Sequence, residues 1–285
     1  MATRLRIVLL LTCLTLLASC SRLDLGYRNL DWLIPWSLDN YIPLSAEQKT
    51  WLKPRLITHI NWHCTTQLPL YSDWLQRSAE LAVAPDPAPA EFDAQFTAFR
   101  QAVDAVAVRL TPDATELLQG LSDQQVTALG ENMAKQNKEQ REEYLGVSLT
   151  EQIDERRERM EERLKPWFGR LQPEQKARVK VWAEQLGDYN EAWLDNNRRW
   201  QEAFLAAVKA RHSEEFPEQV KRLLQDRMSF ATPAYRERFD RAQNALGDLF
   251  SDLIASADQQ QRERLVERLQ EAHKQVSEMT CPVAG

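Results

Sequence analysis

Along most of the chain, apolar residues recur at the three-and-four spacing of an amphipathic helix. Leu52, Leu56 and Ile60 form the first stripe, at i, i+4 and i+8. Ser45-Ala46-Glu47-Gln48 opens that helix as a capping box, in which the Ser side chain accepts an amide hydrogen bond and Gln48 reaches back. Pro54 is expected to bend or delay the helix, and Pro69 to bend or break its continuation toward Leu81, because proline lacks the amide a helix interior needs. Ala84-Pro85-Asp86-Pro87-Ala88-Pro89 reads as a linker. Phe92, Phe96, Phe99, Val103, Val106 and Leu110 make the next stripe. Thr111-Pro112 predicts a fresh start, with Thr as N-cap, and Gly120 a stop. Ser122-Asp123-Gln124-Gln125 is a second capping box, opening a helix that ends near Gly146. Ile153, Met160, Leu164 and Phe168 lie between dense charges over 149–168. From Pro173, the residues Val179, Trp182, Leu186, Tyr189 and Trp193 predict one long helix to about His212. Helices near 217–229, 233–254 and 257–278 complete the chain, the last opened by a capping box at Ser256-Ala257-Asp258-Gln259.

No stretch shows sustained two-residue alternation, and no Gly-rich phosphate loop appears. The expected fold is therefore all-α: a bundle of about nine helices over 45–285, with a sub-boundary at 84–89. An extended aromatic leader, 20–44, precedes it and carries Tyr27, Trp32, Trp36 and Tyr41 with Pro35 and Pro43. Composition agrees. Only 8 of 285 residues are Gly, too few for the positive-φ turns of a sheet-rich fold. A charged content of 27% with 43% apolar residues is that of a folded soluble domain. The net charge of −6 argues against nucleic acid as the partner, since phosphate contacts need a basic surface.

The N-terminus reads as an address. Arg4 and Arg6 precede an almost unbroken apolar run from Ile7 to Ala18, too short for the roughly 20 residues of a spanning helix. Residues 1–19 are therefore expected to be a secretory signal. Leu17-Ala18-Ser19-Cys20 resembles a bacterial lipobox, which implies cleavage before Cys20 and acylation of that residue; ordinary cleavage near Ser19 without lipid is the alternative. Ser21 follows where an inner-membrane lipoprotein usually has Asp, which implies delivery to the outer membrane; the expected face is the periplasmic one, with exposure at the cell surface as the alternative. Several acyl chains on Cys20 would anchor the domain firmly without a protein span.

Cysteine counting points to the same compartment. Cys13 leaves with the signal and Cys20 takes the lipid, so Cys64 and Cys281 remain in an oxidising space. A Cys64–Cys281 disulfide is expected, with two separate thiols as the alternative.

The helix starts share one shape: Leu44-Ser45-Ala46-Glu47-Gln48, Leu121-Ser122-Asp123-Gln124-Gln125, Leu171-Gln172-Pro173-Glu174-Gln175 and Ala255-Ser256-Ala257-Asp258-Gln259. They resemble the Leu-Thr-x-x-Gln motif of Spy/CpxP-like periplasmic proteins, small helical chaperones or stress sensors that cradle unfolded clients. They also have the chemistry of ordinary helix caps: an apolar residue before the cap, acids near the positive helix end, and Gln reaching back. Three longer stretches carry a second resemblance: Tyr27-Arg28-Asn29-Leu30-Asp31-Trp32-Leu33-Ile34-Pro35-Trp36, then Gln48-Lys49-Thr50-Trp51-Leu52, and Trp62-His63 through Leu68-Pro69-Leu70-Tyr71. These are similar to an uncharacterised family of Gram-negative helical lipoproteins, a domain of unknown function. That likeness implies location and fold, and carries over no catalytic residue.

Candidate chemistry is sparse. His59 and His63 share a helix face at i, i+4 and are weak metal candidates, because a closed zinc site needs four ligands. Cys64 faces about 100° away, so His packing at an interface is preferred and no metal or other cofactor is expected. No Gly-x-Ser-x-Gly elbow exists, and the paired acids Glu142-Glu143, Glu161-Glu162 and Glu214-Glu215 read as solvated, so no enzyme is expected. The run from Glu155 to Arg163 alternates sign and reads as a solvated face with i,i+4 ion pairs. Trp32, Leu33, Ile34 and Trp36 follow Cys20 closely, as a membrane contact or, preferred, a leader packed into a groove of its own domain. Trp182, Trp193 and Trp200 lie near one stripe of the expected long helix, in the core or on an arm for a partner. The expected role is binding of another envelope protein or an unfolded client, with a fixed-partner assembly factor, or a metal-binding or hydrolytic enzyme, as alternatives.

Overall fold

A computed structural model of the chain describes Asp24, residues 26–84 and residues 89–281. The expected signal 1–19, Cys20 and the linker residues 85–88 lie outside these. The described residues form eleven α-helices and no strand. They are α1 (Leu30–Asp39), α2 (Ala46–Trp62), α3 (Leu68–Val83), α4 (Pro89–Gln119), α5 (Asp123–Leu145) and α6 (Leu149–Phe168). There follow α7 (Pro173–Leu186), α8 (Tyr189–Lys209), α9 (Phe216–Gln225), α10 (Pro233–Ala255) and α11 (Gln259–Ser277).

The all-α class stands, and four local differences account for the helix count. The leader is not extended throughout: Leu30, Ile34 and Leu38 recur at i, i+4, i+8 and pack α1 against the domain. The expected start at Thr111-Pro112 does not occur, because α4 runs straight through Pro112. Thr111 is buried there, and its hydroxyl donates to the Ala107 carbonyl (2.7 Å) while accepting from Gln225 Nε2 (3.0 Å). The expected long helix from Pro173 is broken at Gly187, whose φ of +49° only glycine adopts readily. Trp182 and Trp200 therefore sit on different helices, in different cores. A π-helical turn, His63–Gln67, separates α2 from α3. Pro69 enters α3 directly after it, and widening the turn removes the clash its ring would make with the carbonyl of Thr65.

Two cores hold these helices, and the chain weaves between them. The first joins Leu52, Leu56 and Ile60 of α2, Val126, Leu129 and Met133 of α5, Phe204 and Val208 of α8, and Phe216, Val220 and Leu223 of α9. The second joins Ala79 and Ala82 of α3, Met160, Leu164 and Phe168 of α6, Val179 of α7, Leu249 and Leu253 of α10, and Leu265 and Leu269 of α11.

Each core is closed by a head-to-head meeting of two helix N-termini. In the first, Ser45 and Ser122 cap α2 and α5, and each third helical residue, Gln48 or Gln125, reaches back to its own cap (2.9 Å in both). Gln125 Nε2 then donates to Gln48 Oε1 (2.6 Å) and to the Pro43 carbonyl (2.9 Å). Gln48 Nε2 returns bonds to Gln125 Oε1 (3.2 Å) and the Gly120 carbonyl (3.0 Å). In the second, Gln175 of α7 and Gln261 of α11 exchange bonds of 2.9 Å each way. Gln261 also donates to the Arg170 carbonyl (3.1 Å). Both amides are buried there. This corrects the fourth helix start: the cap is Asp258 rather than Ser256, and the glutamine at the third position is Gln261 rather than Gln259. The apolar residue before each cap, Leu44, Leu121, Leu171 or Ala257, is buried.

Cys64 and Cys281 are bonded, with Cα atoms 5.5 Å apart across a separation of 217 residues. The bond ties the π-helical turn to the segment after α11, and α11 itself packs against α3. Beside it, Ser72 Oγ bonds both His273 Nδ1 (2.9 Å) and Ser277 Oγ (2.8 Å). Constraining so long a loop contributes at most about 5 kcal/mol by chain entropy. Non-reducing peptide mapping should recover the Cys64–Cys281 pair with neither thiol alkylated, and reduction should lower the melting temperature. Two alkylatable thiols in the oxidised protein would contradict the crosslink.

Candidate functional site

The site is built on the π-helical turn and the two helices that follow it. Between α3 and α4 runs a cleft of about 430 Å³, lined by Leu70, Tyr71, Trp74, Leu75, Phe99 and Ala102 among others. Its rims stay open: Leu70 is 53% exposed and Phe99 55%, with Val103 and Val108 further along α4 similarly exposed. The α4 stripe read from the sequence thus turns outward for part of its length, and Ala102 is the residue that packs inward. Only a small side chain there lets the two helices approach, which leaves the bulky neighbours outside. Trp74 is fixed by its Nε1 donating to the Gln95 carbonyl (3.0 Å) and leans on Phe99, ring centroids 6.2 Å apart.

One end of the cleft is polar. Gln67, in the π-helical turn, is 5% exposed, and no donor among the described residues reaches its Oε1. Its Nε2 donates to Thr66 Oγ1 (3.2 Å). Tyr71 connects the cleft to a chain of hydrogen bonds: its hydroxyl lies 3.2 Å from His63 Nε2, His63 Nδ1 lies 3.0 Å from the Tyr27 hydroxyl, and Tyr27 donates to the Ile60 carbonyl (3.1 Å). Because Tyr27 donates to Ile60, the ordered arrangement has His63 protonated on Nδ1 and accepting from Tyr71 at Nε2. Burial pushes the His63 imidazole below its ordinary pKa, and it pushes Tyr27 up to about 12, helped by the neighbouring Tyr71. The chain is held neutral and runs from the cleft to the entry of α1.

The two histidines do not converge. His59 pairs with Asp113 (2.6 Å), which Arg55 also approaches (3.4 Å). No group of three or more His, Cys, Asp or Glu able to hold a metal occurs among the described residues. Of the leader residues, Ile34 packs on the first core and Leu33 is half-buried, whereas Trp32 and Trp36 point outward and stack, centroids 6.2 Å apart.

Arg156, within the run expected to be solvated, is instead 6% exposed. It donates to the Ala183 (2.9 Å) and Gly187 (3.1 Å) carbonyls, so it caps the end of α7. Burial lowers its pKa. Its neighbours keep the expected surface pairs, Arg157 with Glu161 and Arg159 with Glu155. Arg211 donates to the Leu121 carbonyl in the α4–α5 link, and Arg262 to the Ile254 carbonyl in the last turn of α10.

A family of unknown function, DUF6279, matches residues 40–236. The chain belongs to this family. The DUF6279 match takes in the cleft, Gln67, His63 and the whole first joint, and it ends early in α10, before Gln261 and Cys281. No curated protein and no solved structure matches the chain.

The His63 environment fixes a pH dependence. An imidazole whose pKa is lowered on folding leaves the unfolded chain binding more protons, so stability falls as pH drops below about 6.5. Denaturant titrations of the wild type and His63→Gln should show the wild type losing more stability between about pH 7 and 5. Equal losses would contradict burial of a neutral imidazole.

Proposed function

We propose that this DUF6279 member is a lipid-anchored outer-membrane lipoprotein, facing the periplasm, that binds an apolar segment of another envelope protein or an unfolded client. The reading is of a binding protein and not an enzyme. The observation that carries it is the open α3–α4 cleft, whose lining includes Leu70, Trp74, Leu75 and Phe99, with Leu70 and Phe99 exposed. Contiguous exposed apolar surface of this kind marks binding sites in soluble domains. Phe99 and Val103 stand four apart on α4, one turn of the spacing by which one helix grips another. Gln67 adds an acceptor at the polar end for a donor on the bound segment.

The anchoring part of the reading rests on the apolar run before Cys20 and on the Cys64–Cys281 bond, which suits an oxidising compartment. Among the described residues no helix is long and apolar enough to cross a membrane. In this reading the lipid holds the domain at the surface and the cleft remains open to the periplasm.

A photo-crosslinking residue placed at Leu70, on the rim of the cleft, in the native envelope should give protein adducts. Phe99→Asp should reduce them at least tenfold while changing stability by no more than about 0.5 kcal/mol, because Phe99 is largely exposed. One discrete adduct would identify a fixed partner, and a broad ladder would identify clients. Adducts no more abundant than those from exposed Lys138 on α5 would contradict the cleft as a binding site.

A further inference from the structure

Helix α1 has two faces with different tasks. Leu30, Ile34 and Leu38 turn inward onto the first core, together with Tyr27 and Tyr41. The opposite face presents Trp32 and Trp36 at i and i+4, and Arg28, exposed, lies just ahead of α1, before the turn at Asn29. Trp32 is 61% exposed and Trp36 59%, the two indoles stacked with an interplanar angle of 11°. They are the most exposed large apolar residues of the described structure. The inward stripe already supplies what packing α1 requires, so the outward pair is not explained by the fold.

We propose that the Trp32–Trp36 stripe, with Arg28 just ahead of it, is a second membrane contact that lays α1 on the headgroup region of the bilayer carrying the Cys20 lipid. This rests on the anchoring part of the function proposed above. The chain length selects the occupant. Trp32 follows Cys20 by twelve residues, so even a fully extended chain places it within about 40 Å of the acylated residue. A domain tethered so closely keeps this stripe beside one surface, the lipid. The chemistry fits that surface. Indole carries an apolar ring with a polar N–H and concentrates at the headgroup boundary. Arg28, just ahead of the stripe, adds a cation suited to lipid phosphate. Asp24 lies 3.6 Å from Arg28, and Asp31 is on α1, so the stripe has no cationic excess. The contact is therefore led by the indoles and does not depend on anionic lipid or low salt. Fixing α1 parallel to the membrane also sets the direction in which the α3–α4 cleft faces, since the Tyr27–His63–Tyr71 chain links the start of the leader to that cleft.

The test uses the full mature chain, reconstituted through Cys20 into phosphatidylcholine vesicles with bromine on the acyl chains near the headgroups. Tryptophan emission of the wild type should be quenched relative to unbrominated vesicles. Trp32→Phe/Trp36→Phe should lower that quenching at least twofold, and Trp182→Phe should leave it unchanged. The quenching should be the same at low and high salt. Flotation with the vesicles but no quenching, or equal quenching in the double variant, overturns the contact and leaves the anchor standing. Failure to float, with an unmodified Cys20, removes the anchor and the contact together. Protection of the pair from acrylamide before lipid is added would show it already covered by protein, a second copy included, and overturns the proposal as well.

Discussion

Four glutamine amides, paired in two joints, decide where the helices of this protein start and which of them meet. A side-chain amide has two donors and an oxygen with two acceptor positions. In each joint those capacities are largely used. The oxygen accepts from its own helix cap and from the opposite amide, while the nitrogen donates to the opposite amide and to the strand of chain entering the opposite helix, as Gln125 does to Pro43 and Gln261 to Arg170. A glutamate at these positions would place two carboxylates together, and an aliphatic residue would leave its partner unsatisfied. Two helix N-termini brought head to head also concentrate positive dipole, which Glu47, Asp123, Glu174 and Asp258 offset at the four ends.

The remaining order follows from that constraint. Once α2 meets α5 and α7 meets α11, the two apolar cores lie beneath the joints, and the helix ends away from them need other closures. Arginines supply several: Arg156, Arg211 and Arg262 give their guanidinium donors to carbonyls at or beside helix ends. The α3–α11 seam is held by the disulfide and by Ser72, His273 and Ser277. Among the surfaces that these closures leave open are the α3–α4 cleft and the outer face of α1, and both functional proposals fall there.

Much of this was legible in the residues. Stripes such as Leu52–Leu56–Ile60 and Met160–Leu164–Phe168 face inward as their spacing dictates, and cysteine arithmetic left one possible intramolecular pair. The capping boxes at Ser45 and Ser122 carried their own starts, but a local motif holds no information about which two starts will meet. At α11 two overlapping candidates, Ser256 and Asp258, were separable only by which register brings a glutamine to Gln175. The break at Gly187 was hidden because helical apolar spacing continues across it, from Leu186 to Tyr189. Pro112 signalled a start that tertiary contact overrides, through Gln225 and Thr111. Arg156 looked like any charge in an alternating run, since its burial depends on carbonyls 27 and 31 residues away. The cleft was invisible for a related reason: whether a stripe on α4 faces core or solvent depends on the neighbour that Ala102 admits.

The account stands most directly on a double-mutant cycle across the buried joint, with Gln175→Met, Gln261→Met and the double variant unfolded by denaturant. Methionine keeps the length and flexibility of glutamine while removing the amide. Each single change should cost about 1–3 kcal/mol, because it leaves the opposite amide buried without its partner. The double variant should be more stable than the sum of the singles predicts, by about 1 kcal/mol or more. Singles that add to within about 0.5 kcal/mol would show two independent caps in place of a joint, and would contradict the claim that paired amides set this fold.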